Sequence, residues 1–234
     1  MATSKNLVLL PGSLCDDRVW RHQIEAFSSE YEIFTPHFPD LDSLGEIARA
    51  SLKAAPKTFS LVGFAMGGRV ALEMMRFAPG RIERLALLDA SVHPIGTGEA
   101  EKRQPLIDMA YKDGMEAVAK HWLPRIVHSS HVNDSAYMSL LIEMAVHFTA
   151  EQYEKEVRAL LNRPDPRPVL PTITCPTLIL AGAEDPLSTR QRNEDMAAQI
   201  PEAELVILDG CAHFPMLDAP DQVNDALRRW LARD

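Results

Sequence analysis

Short apolar runs recur along this chain, and their spacing restricts the fold more than any other feature does. Each run is rich in Val, Ile and Leu and is bounded by Pro, Gly, Asp or Ser. The runs stay apolar instead of alternating with polar residues, which predicts strands that are covered on both faces. They occupy positions 6–10, 31–34, 59–62, 85–88, 177–181 and 205–208.

Amphipathic stretches separate these runs and predict helices. They cover positions 16–28, 43–54, 66–78, 189–199 and 220–231. Strands that alternate with helices form a parallel sheet joined by right-handed crossovers, with the helices on its faces. The sequence therefore predicts an α/β fold in which a mostly parallel sheet of about six strands is flanked by helices.

One stretch, from position 92 to 171, has no strand pattern. It contains helical patterns at 114–122, 136–148 and 150–161, and it ends in the proline-rich segment 163–168. A helical insertion between two strands is typical of a cap, or lid, that excludes water and shapes a pocket, and ordinary packing helices are the alternative. We therefore divide the chain into a core of 1–91 and 172–234 and a helical cap of 92–171.

The segment Leu61–Gly68, LVGFAMGG, joins the third apolar run to a tight turn and the start of a helix. Gly63 and Gly67 allow the close backbone approach that such a turn requires. The segment matches G-x-S-x-G, the nucleophile elbow of serine hydrolases, except that Ala65 stands in place of the serine. Ala65 fits a strained turn but has no hydroxyl that could attack a carbonyl carbon. A tight strand–helix junction without any chemistry is the alternative interpretation.

The backbone around this turn carries candidate donors for an oxyanion. The N–H of Met66 is expected at the start of a helix, where unpaired donors and the helix dipole favour negative charge. A second donor is expected from the loop after the first strand, which contains Gly12. The N–H of Ser13 is our candidate, and that of the neighbouring Leu14 is the other option. A plain strand-to-helix turn is the alternative.

Two residues that follow the last apolar runs are candidates for acid–base chemistry. His213 follows the final run and Asp185 the run before it, so both belong to the carboxyl edge of the sheet, where ligands collect. An imidazole there would take a proton from a nucleophile and return it to a leaving group, while a carboxylate would orient the ring. Asp89, after the fourth run, is a second candidate for this carboxylate.

Composition limits the other functional classes. A net charge of −9 without a Lys/Arg cluster argues against binding to nucleic acid. No apolar run is long enough to span a membrane, and the N-terminal residues lack a signal-peptide pattern. The three cysteines, at 15, 175 and 211, do not form a disulfide framework, which indicates a reducing compartment. We expect a cytoplasmic protein that is a monomer or a homodimer.

Other reactive side chains have simpler explanations. Cys15 and Cys211 are alternative nucleophiles near the expected site, but neither lies on the elbow, and small buried thiols are the simpler interpretation. The histidines of the cap lack the spacing of a metal site, so neither a metal nor a cofactor is predicted.

Aromatic and methionine residues in the cap indicate an apolar pocket of modest size, and mutual packing of these residues is the alternative. We expect Leu14, Trp122 and Phe214 to contact a small-molecule acyl substrate. Arg125 and Arg158 are candidates to meet a substrate carboxylate, although a solvated helix face is the simpler explanation for both.

Together these residues resemble the α/β-hydrolase superfamily over nearly the whole chain. Residues 61–73, LVGFAMGGRVALE, are similar to its LVGHSMGGxVAL segment, 178–186 to its acid-bearing strand and loop, and 210–214 to its G-x-x-H-F turn. The nearest resemblance is to small carboxylesterases, lactonases and C–C hydrolases with a helical cap. Three features depart from it: Pro11 replaces a histidine, no antiparallel hairpin precedes the first strand, and Ala65 replaces the nucleophile.

The resemblance implies a serine hydrolase that cleaves a small carboxylic ester, a lactone or a related acyl bond through an acyl-enzyme. His213 is then the base, Asp185 orients it, and the N–H groups of Ser13 and Met66 bind the oxyanion. We interpret this chain as an inactive Ser→Ala form of such an enzyme. A ligand-binding or sensor protein on the same fold is one alternative, and a cofactor-free lyase or oxygenase that uses His213 as its base is another.

Overall fold

Six parallel strands form one central sheet in a computed structural model that describes residues 5–233. The strands are β1 (Lys5–Leu10), β2 (Tyr31–Phe34), β3 (Phe59–Phe64), β4 (Ile82–Leu88), β5 (Thr177–Gly182) and β6 (Glu204–Leu208). Their order across the sheet is β2-β1-β3-β4-β5-β6, and every neighbouring pair is parallel. The predicted fold class is therefore confirmed. The largest boundary error is at β4, because Glu83 and Arg84 interrupt the apolar run although Ile82 already pairs with Phe59.

Helices cover both faces of this sheet. In the core they are α1 (Arg21–Phe27), α2 (Leu44–Ala54), α3 (Met66–Phe77), α8 (Arg190–Ala197), α9 (Pro215–Asp218) and α10 (Pro220–Leu231). Short 3-10 turns lie at Asp17–Trp20, Pro79–Arg81, Leu123–Arg125, Ser129–His131 and Leu170–Thr172. Among the described residues, no helix is both long enough and apolar enough to cross a bilayer.

The two faces of the sheet have separate apolar cores, which explains why the strand sequences do not alternate. In β1, Leu7 and Leu9 belong to the core formed with α1 and α10, whereas Val8 and Leu10 belong to the core formed with α2 and α3. Successive side chains of a strand point to opposite faces, so both sets must be apolar when both faces are covered.

Four helices lie in the connection between β4 and β5. They are α4 (Glu99–Asp113), α5 (Met115–Trp122), α6 (Ser135–Val146) and α7 (Ala150–Leu161). The sequence pattern did not predict α4, because Pro105 lies inside it and only Ile107 and Ala110 are buried. Side chains of α5 and α6 join the apolar core that includes α1 and α10, so these helices pack over the sheet edge that carries the site described next.

Candidate active site

The turn between β3 and α3 holds position 65 in a strained backbone conformation. Ala65 has φ 49° and ψ −111°, a region that a residue with a side chain enters only where the surroundings impose it. The glycines on either side permit the turn: a Cβ on Gly63 would lie 2.6 Å from the Gly67 carbonyl oxygen, and one on Gly67 would lie 2.5 Å from that of Pro11. The predicted elbow is thus present in its backbone geometry.

His213 and Asp185 form a direct hydrogen bond at the same edge of the sheet. The His213 Nδ1 and the Asp185 Oδ2 lie 2.8 Å apart, and the Asp185 side chain has no exposed surface. The backbone N–H of Leu187 donates to the other carboxylate oxygen at 2.7 Å. Burial is the largest single cause and raises the pKa of Asp185. The charge and hydrogen bond of His213, together with hydrogen bonds from Asp89 and the Leu187 N–H, oppose burial and hold the pKa below its ordinary value. Asp185 is therefore ionised and fixes the orientation of the imidazole ring.

Asp89, the second candidate acid, lies beside this pair, but the hydrogen bond to the imidazole Nδ1 comes from Asp185. It follows β4 with φ 42°, is buried, and accepts a hydrogen bond from the Gly182 N–H at 3.1 Å. Burial, then the charge of Asp185, raises its pKa well above the ordinary value. Asp89 is consequently the neutral member of the carboxyl pair.

These three residues are also the one group among residues 5–233 whose ligand atoms are close enough together to hold a metal ion. The 2.8 Å contact between His213 and Asp185 is the length of a hydrogen bond. Two ligands of a tetrahedral metal ion, each about 2.0–2.2 Å from it, lie farther apart than that. The geometry therefore fits a proton-sharing pair better than a metal site.

Two candidate oxyanion donors lie beside position 65. Ser13 and Met66 line the same cavity as Ala65 and His213. Gly12 brings the Ser13 loop against the elbow, since a Cβ there would lie 3.3 Å from the Ala65 Cβ. The other option, Leu14, donates its backbone N–H to a Glu156 carboxylate oxygen at 3.0 Å, so that donor is engaged already.

Glu156, on α7 of the cap, is a site residue that the sequence analysis missed. Its Oε2 accepts hydrogen bonds from the Ser13 hydroxyl at 2.6 Å and from the Leu14 N–H at 3.0 Å. Burial raises the pKa of Glu156 to about 7, although both hydrogen bonds oppose that shift. The signal was present in the sequence, because Glu156 lies three residues after Tyr153 and four before Leu160, on the buried face of α7.

A cavity of about 790 Å³ separates the elbow from the cap. The predicted substrate contacts Leu14, Trp122 and Phe214 all line it. Its apolar wall includes Ala119, Leu123, Ile126, Leu141 and Met144 of the cap region. The backbone N–H of His213 donates to the Ile126 carbonyl at 3.1 Å, so the cap contacts the loop that carries His213.

The other candidate side chains are less suited to chemistry. Arg125 and Arg158 are exposed and do not line the cavity; Arg158 pairs instead with Asp42 and Glu154. Burial raises the pKa of Cys15 far above the ordinary value and that of Cys211 to about 12, so both thiols stay protonated. Neither cysteine lies on the elbow.

Comparisons with known proteins agree with this architecture. The chain is 23% identical over 233 residues to a pimeloyl-(acyl-carrier protein) methyl ester esterase of Nitrosomonas europaea, covering 93% of this chain and 92% of that protein. A malate-bound thermophilic esterase of Thermogutta terrifontis superposes with a TM-score of 0.88 and 25% identity, over 98% of this chain and 90% of that one.

An enol-lactonase of Burkholderia xenovorans superposes with a TM-score of 0.87 and 22% identity, over 99% of this chain and 93% of that one, and shows the same fold. A sequence profile described as "Alpha/beta hydrolase family" matches residues 7–226, which is nearly the whole chain. The chain therefore belongs to the alpha/beta hydrolase family.

Proposed function

We propose that this site is built to hydrolyse a small carboxylic ester or lactone through an acyl-enzyme, and that Ala65 makes this chain its inactive, substrate-holding form. The observation that carries the proposal is the hydrogen-bonded pair His213–Asp185 beside a strained turn at position 65. Strained backbone conformations cluster at active sites, where the strain is part of the mechanism. The methyl group of Ala65 has no reactive atom that the strained turn could present to a substrate.

With a hydroxyl at position 65, the reaction would proceed in two steps, acylation of that hydroxyl and hydrolysis of the acyl-enzyme. The hydroxyl oxygen would bond to the acyl carbon while its proton passes to His213, and the proton would then leave with the alcohol as the ester C–O bond breaks. Water would attack the acyl-enzyme by the same route and release the acid. The N–H groups of Ser13 and Met66 would stabilise the oxyanion of each tetrahedral intermediate.

The relatives support this chemistry. The Nitrosomonas europaea and Thermogutta terrifontis proteins are both described as esterases, and the chain matches both over nine tenths of its length. We therefore assign an ester, lactone or related acyl bond as the substrate bond of this chain.

The deciding experiment restores the hydroxyl. Ala65→Ser is compared with the original chain on p-nitrophenyl butyrate, and Ala65→Ser/His213→Gln is the matched control. We expect hydrolysis only in the single variant, with turnover about a million-fold above the alanine form, the cost of removing a triad serine in a serine protease. Absence of hydrolysis in Ala65→Ser across esters, lactones and amides would overturn the proposal and favour a ligand-binding protein.

A third outcome would identify the cofactor-free alternative. If the original chain itself turns over a substrate, and His213→Ala abolishes that turnover, then His213 acts as a base without a nucleophile at position 65. Turnover that survives His213→Ala would exclude this alternative.

A further inference from the structure

One end of the cavity is lined by more cationic than anionic side chains. The cations are Arg69, Lys102, Arg103, Arg163 and Arg192, and Glu99 is the acidic side chain bonded among them; Asp89, beside His213, is the other acidic residue of the lining. The whole chain has a net charge of −9, so this local excess is not a consequence of composition. Cations collected against the wall of a partly enclosed cavity raise the local concentration of an anionic ligand.

Glu99 does not neutralise these cations, because its single carboxylate forms ion pairs with both Arg163 and Arg103. Arg163 donates to both Glu99 carboxylate oxygens, at 2.8 and 2.6 Å, and Arg103 donates to one of them at 3.0 Å. The Arg163 side chain is 6% exposed, so this pair is a buried clamp. The hydrogen bond from Arg163 is the main cause that lowers the pKa of Glu99 to about 2.

Arg69 has no carboxylate partner among residues 5–233. Its Nη2 donates to the His93 carbonyl oxygen at 3.2 Å, and the same oxygen accepts from the Arg163 Nε at 3.2 Å. Burial, then the charge of Arg163, lowers the pKa of Arg69 to about 9. A half-buried guanidinium beside another guanidinium is unfavourable unless an anion joins them.

Arg192 is a second cavity-lining arginine that bonds only to a backbone carbonyl among the described residues. It lies on α8, and its Nη1 donates to the Leu187 carbonyl oxygen at 2.7 Å. No acidic side chain in the described part of the chain forms an ion pair with it, whereas Arg190 on the same helix pairs with Asp209 at 3.4 Å. Two guanidinium groups, on α3 and α8, therefore reach this cavity with hydrogen-bonding capacity to spare.

The position of Arg69 relative to the elbow sets the length of the ligand. Arg69 lies four residues after Ala65, and its N–H bonds to the Ala65 carbonyl. Ala65 is the non-helical residue that precedes α3, and Arg69 lines the same cavity one helical turn later. An anion held by Arg69 and a substrate carbonyl at position 65 would thus share one cavity, which favours a short acyl chain between them.

We propose that this basic end binds a carboxylate on the acyl portion of the substrate, so that the preferred substrates are monoesters of short dicarboxylic acids. Guanidinium groups pair with carboxylates in bidentate geometry, and partial burial strengthens such charge-assisted hydrogen bonds. The assignment of the acyl portion rests on the proposed ester hydrolysis, but binding of the carboxylate does not require turnover.

The first test measures binding to the chain as it is, with Ala65 in place. Calorimetric titration with monomethyl glutarate and with methyl butyrate compares two methyl esters that differ chiefly in one carboxylate. We expect the charged ester to bind about 10- to 100-fold more tightly, and Arg69→Gln or Arg192→Gln to remove about 10-fold of that preference. Arg190→Gln, on the surface beside Arg192, is the matched control and should bind both esters as the original chain does.

A thermal melt of each variant separates binding from folding. The unliganded Arg69→Gln protein should melt at or above the temperature of the original chain, because it loses an unpaired, repelled cation. A lower melting temperature together with an unchanged preference between the two esters would mean that Arg69 only supports the fold, and would overturn the inference.

The second test uses Ala65→Ser and follows methanol release from the monomethyl esters of succinate, glutarate and adipate and from methyl butyrate. We expect Arg69→Gln in that background to raise KM for a charged ester about 10-fold and to leave KM for methyl butyrate nearly unchanged. Equal kcat/KM for charged and neutral esters would overturn the inference and leave the hydrolase intact. Charged-ester binding without any hydrolysis would overturn the proposed hydrolysis and support the anion site.

Discussion

A carboxylate oxygen of Asp89 lies within 4.8 Å of the ligand atoms of Asp185 and His213, and all three residues are buried. Two carboxyl groups at that separation do not both ionise, because like charges in a buried site repel strongly. Asp185 carries the charge, since it bonds the imidazole directly. The Asp89 Oδ2 has no other partner, so a proton on that oxygen gives it a hydrogen bond to donate to Asp185.

The first prediction concerns Asp89→Asn, whose amide keeps a donor towards Asp185 and an acceptor for the Gly182 N–H. An acid whose folded pKa is raised binds its proton more tightly in the folded chain, so the free energy of unfolding falls as pH rises. Asp89→Asn removes this fall in the free energy of unfolding with rising pH. Its stability relative to the original chain should grow by up to about 1.4 kcal/mol per pH unit above pH 4, until the folded pKa is reached.

Urea denaturation at pH 5, 6, 7 and 8 measures this difference. Asp209→Asn, at a carboxylate that is 92% exposed, is the control and should change stability by less than about 0.5 kcal/mol at every pH. A constant offset between Asp89→Asn and the original chain at all four values would show that Asp89 is ionised in the fold.

The second prediction separates the roles of the two acids in the reaction. In the Ala65→Ser background, Asp185→Asn should lower kcat about 10³- to 10⁴-fold, as the corresponding change does in serine proteases, because the amide no longer fixes the imidazole or stabilises its cation. Asp89→Asn in the same background should lower kcat less than about 10-fold, since Asp185 keeps its charge and a donor. Equal losses in the two variants would show that the acids act as one unit.

The third prediction tests the close approach that shapes the elbow. A Cβ on Gly67 would collide with the Leu10 and Pro11 carbonyl oxygens, which are backbone atoms and cannot rotate away, whereas one on Gly80 would meet nothing within 4 Å. Gly67→Ala should destabilise the fold by about 2–4 kcal/mol, and Gly80→Ala should change it by less than about 1 kcal/mol. Urea denaturation at one pH suffices, and similar values for the two variants would contradict the packing described here.

The sequence predicted the sheet because its strands are buried on both faces and are therefore apolar throughout, a pattern that is visible within each short segment. It predicted Asp185, His213 and Ala65 as neighbours because parallel strands bring their carboxyl ends to one edge. It missed α4, whose Pro105 and few buried residues obscure the helical period. It also missed Glu156 and Arg69. The local pattern shows only that Glu156 lies on the buried face of α7; the contacts of both residues arise from the packing of residues 92–171 on the rest of the chain, which no local pattern records.

The arginines illustrate that limit: the sequence offered Arg158 as a possible carboxylate ligand, with a solvated helix face as the simpler explanation, and did not single out Arg69. Arg158 and Arg69 both stand on amphipathic helices, and nothing in their local sequences distinguishes them. Arg158 ends on the outer surface beside Asp42, whereas Arg69 follows the elbow by one helical turn and lines the cavity. Which charged side chain meets a ligand is decided by the tertiary position of its helix, and the secondary-structure period carries no information about that position.

The fourth prediction concerns Glu156, the cap carboxyl group that accepts hydrogen bonds from the Ser13 loop. The pKa of Glu156 is near 4.3 in an unfolded chain and about 7 in the fold, so the folded state binds an extra proton between those values. The free energy of unfolding therefore falls as pH rises through this window, by about 4 kcal/mol in total. Glu156→Gln keeps an acceptor for the Ser13 hydroxyl and the Leu14 N–H and removes the titration.

Glu156→Gln should thus match the original chain near pH 4.5 and exceed it in stability at pH 8, as measured by urea denaturation at both values. Glu156→Leu removes the acceptor, leaves both donors unpaired, and should be less stable than Glu156→Gln by about 2–4 kcal/mol at either pH. Glu151→Gln, on the exposed side of α7, supplies the baseline. If Glu156→Gln and Glu151→Gln show the same pH dependence, Glu156 is ionised throughout and its link to the Ser13 loop is a conventional ionic hydrogen bond.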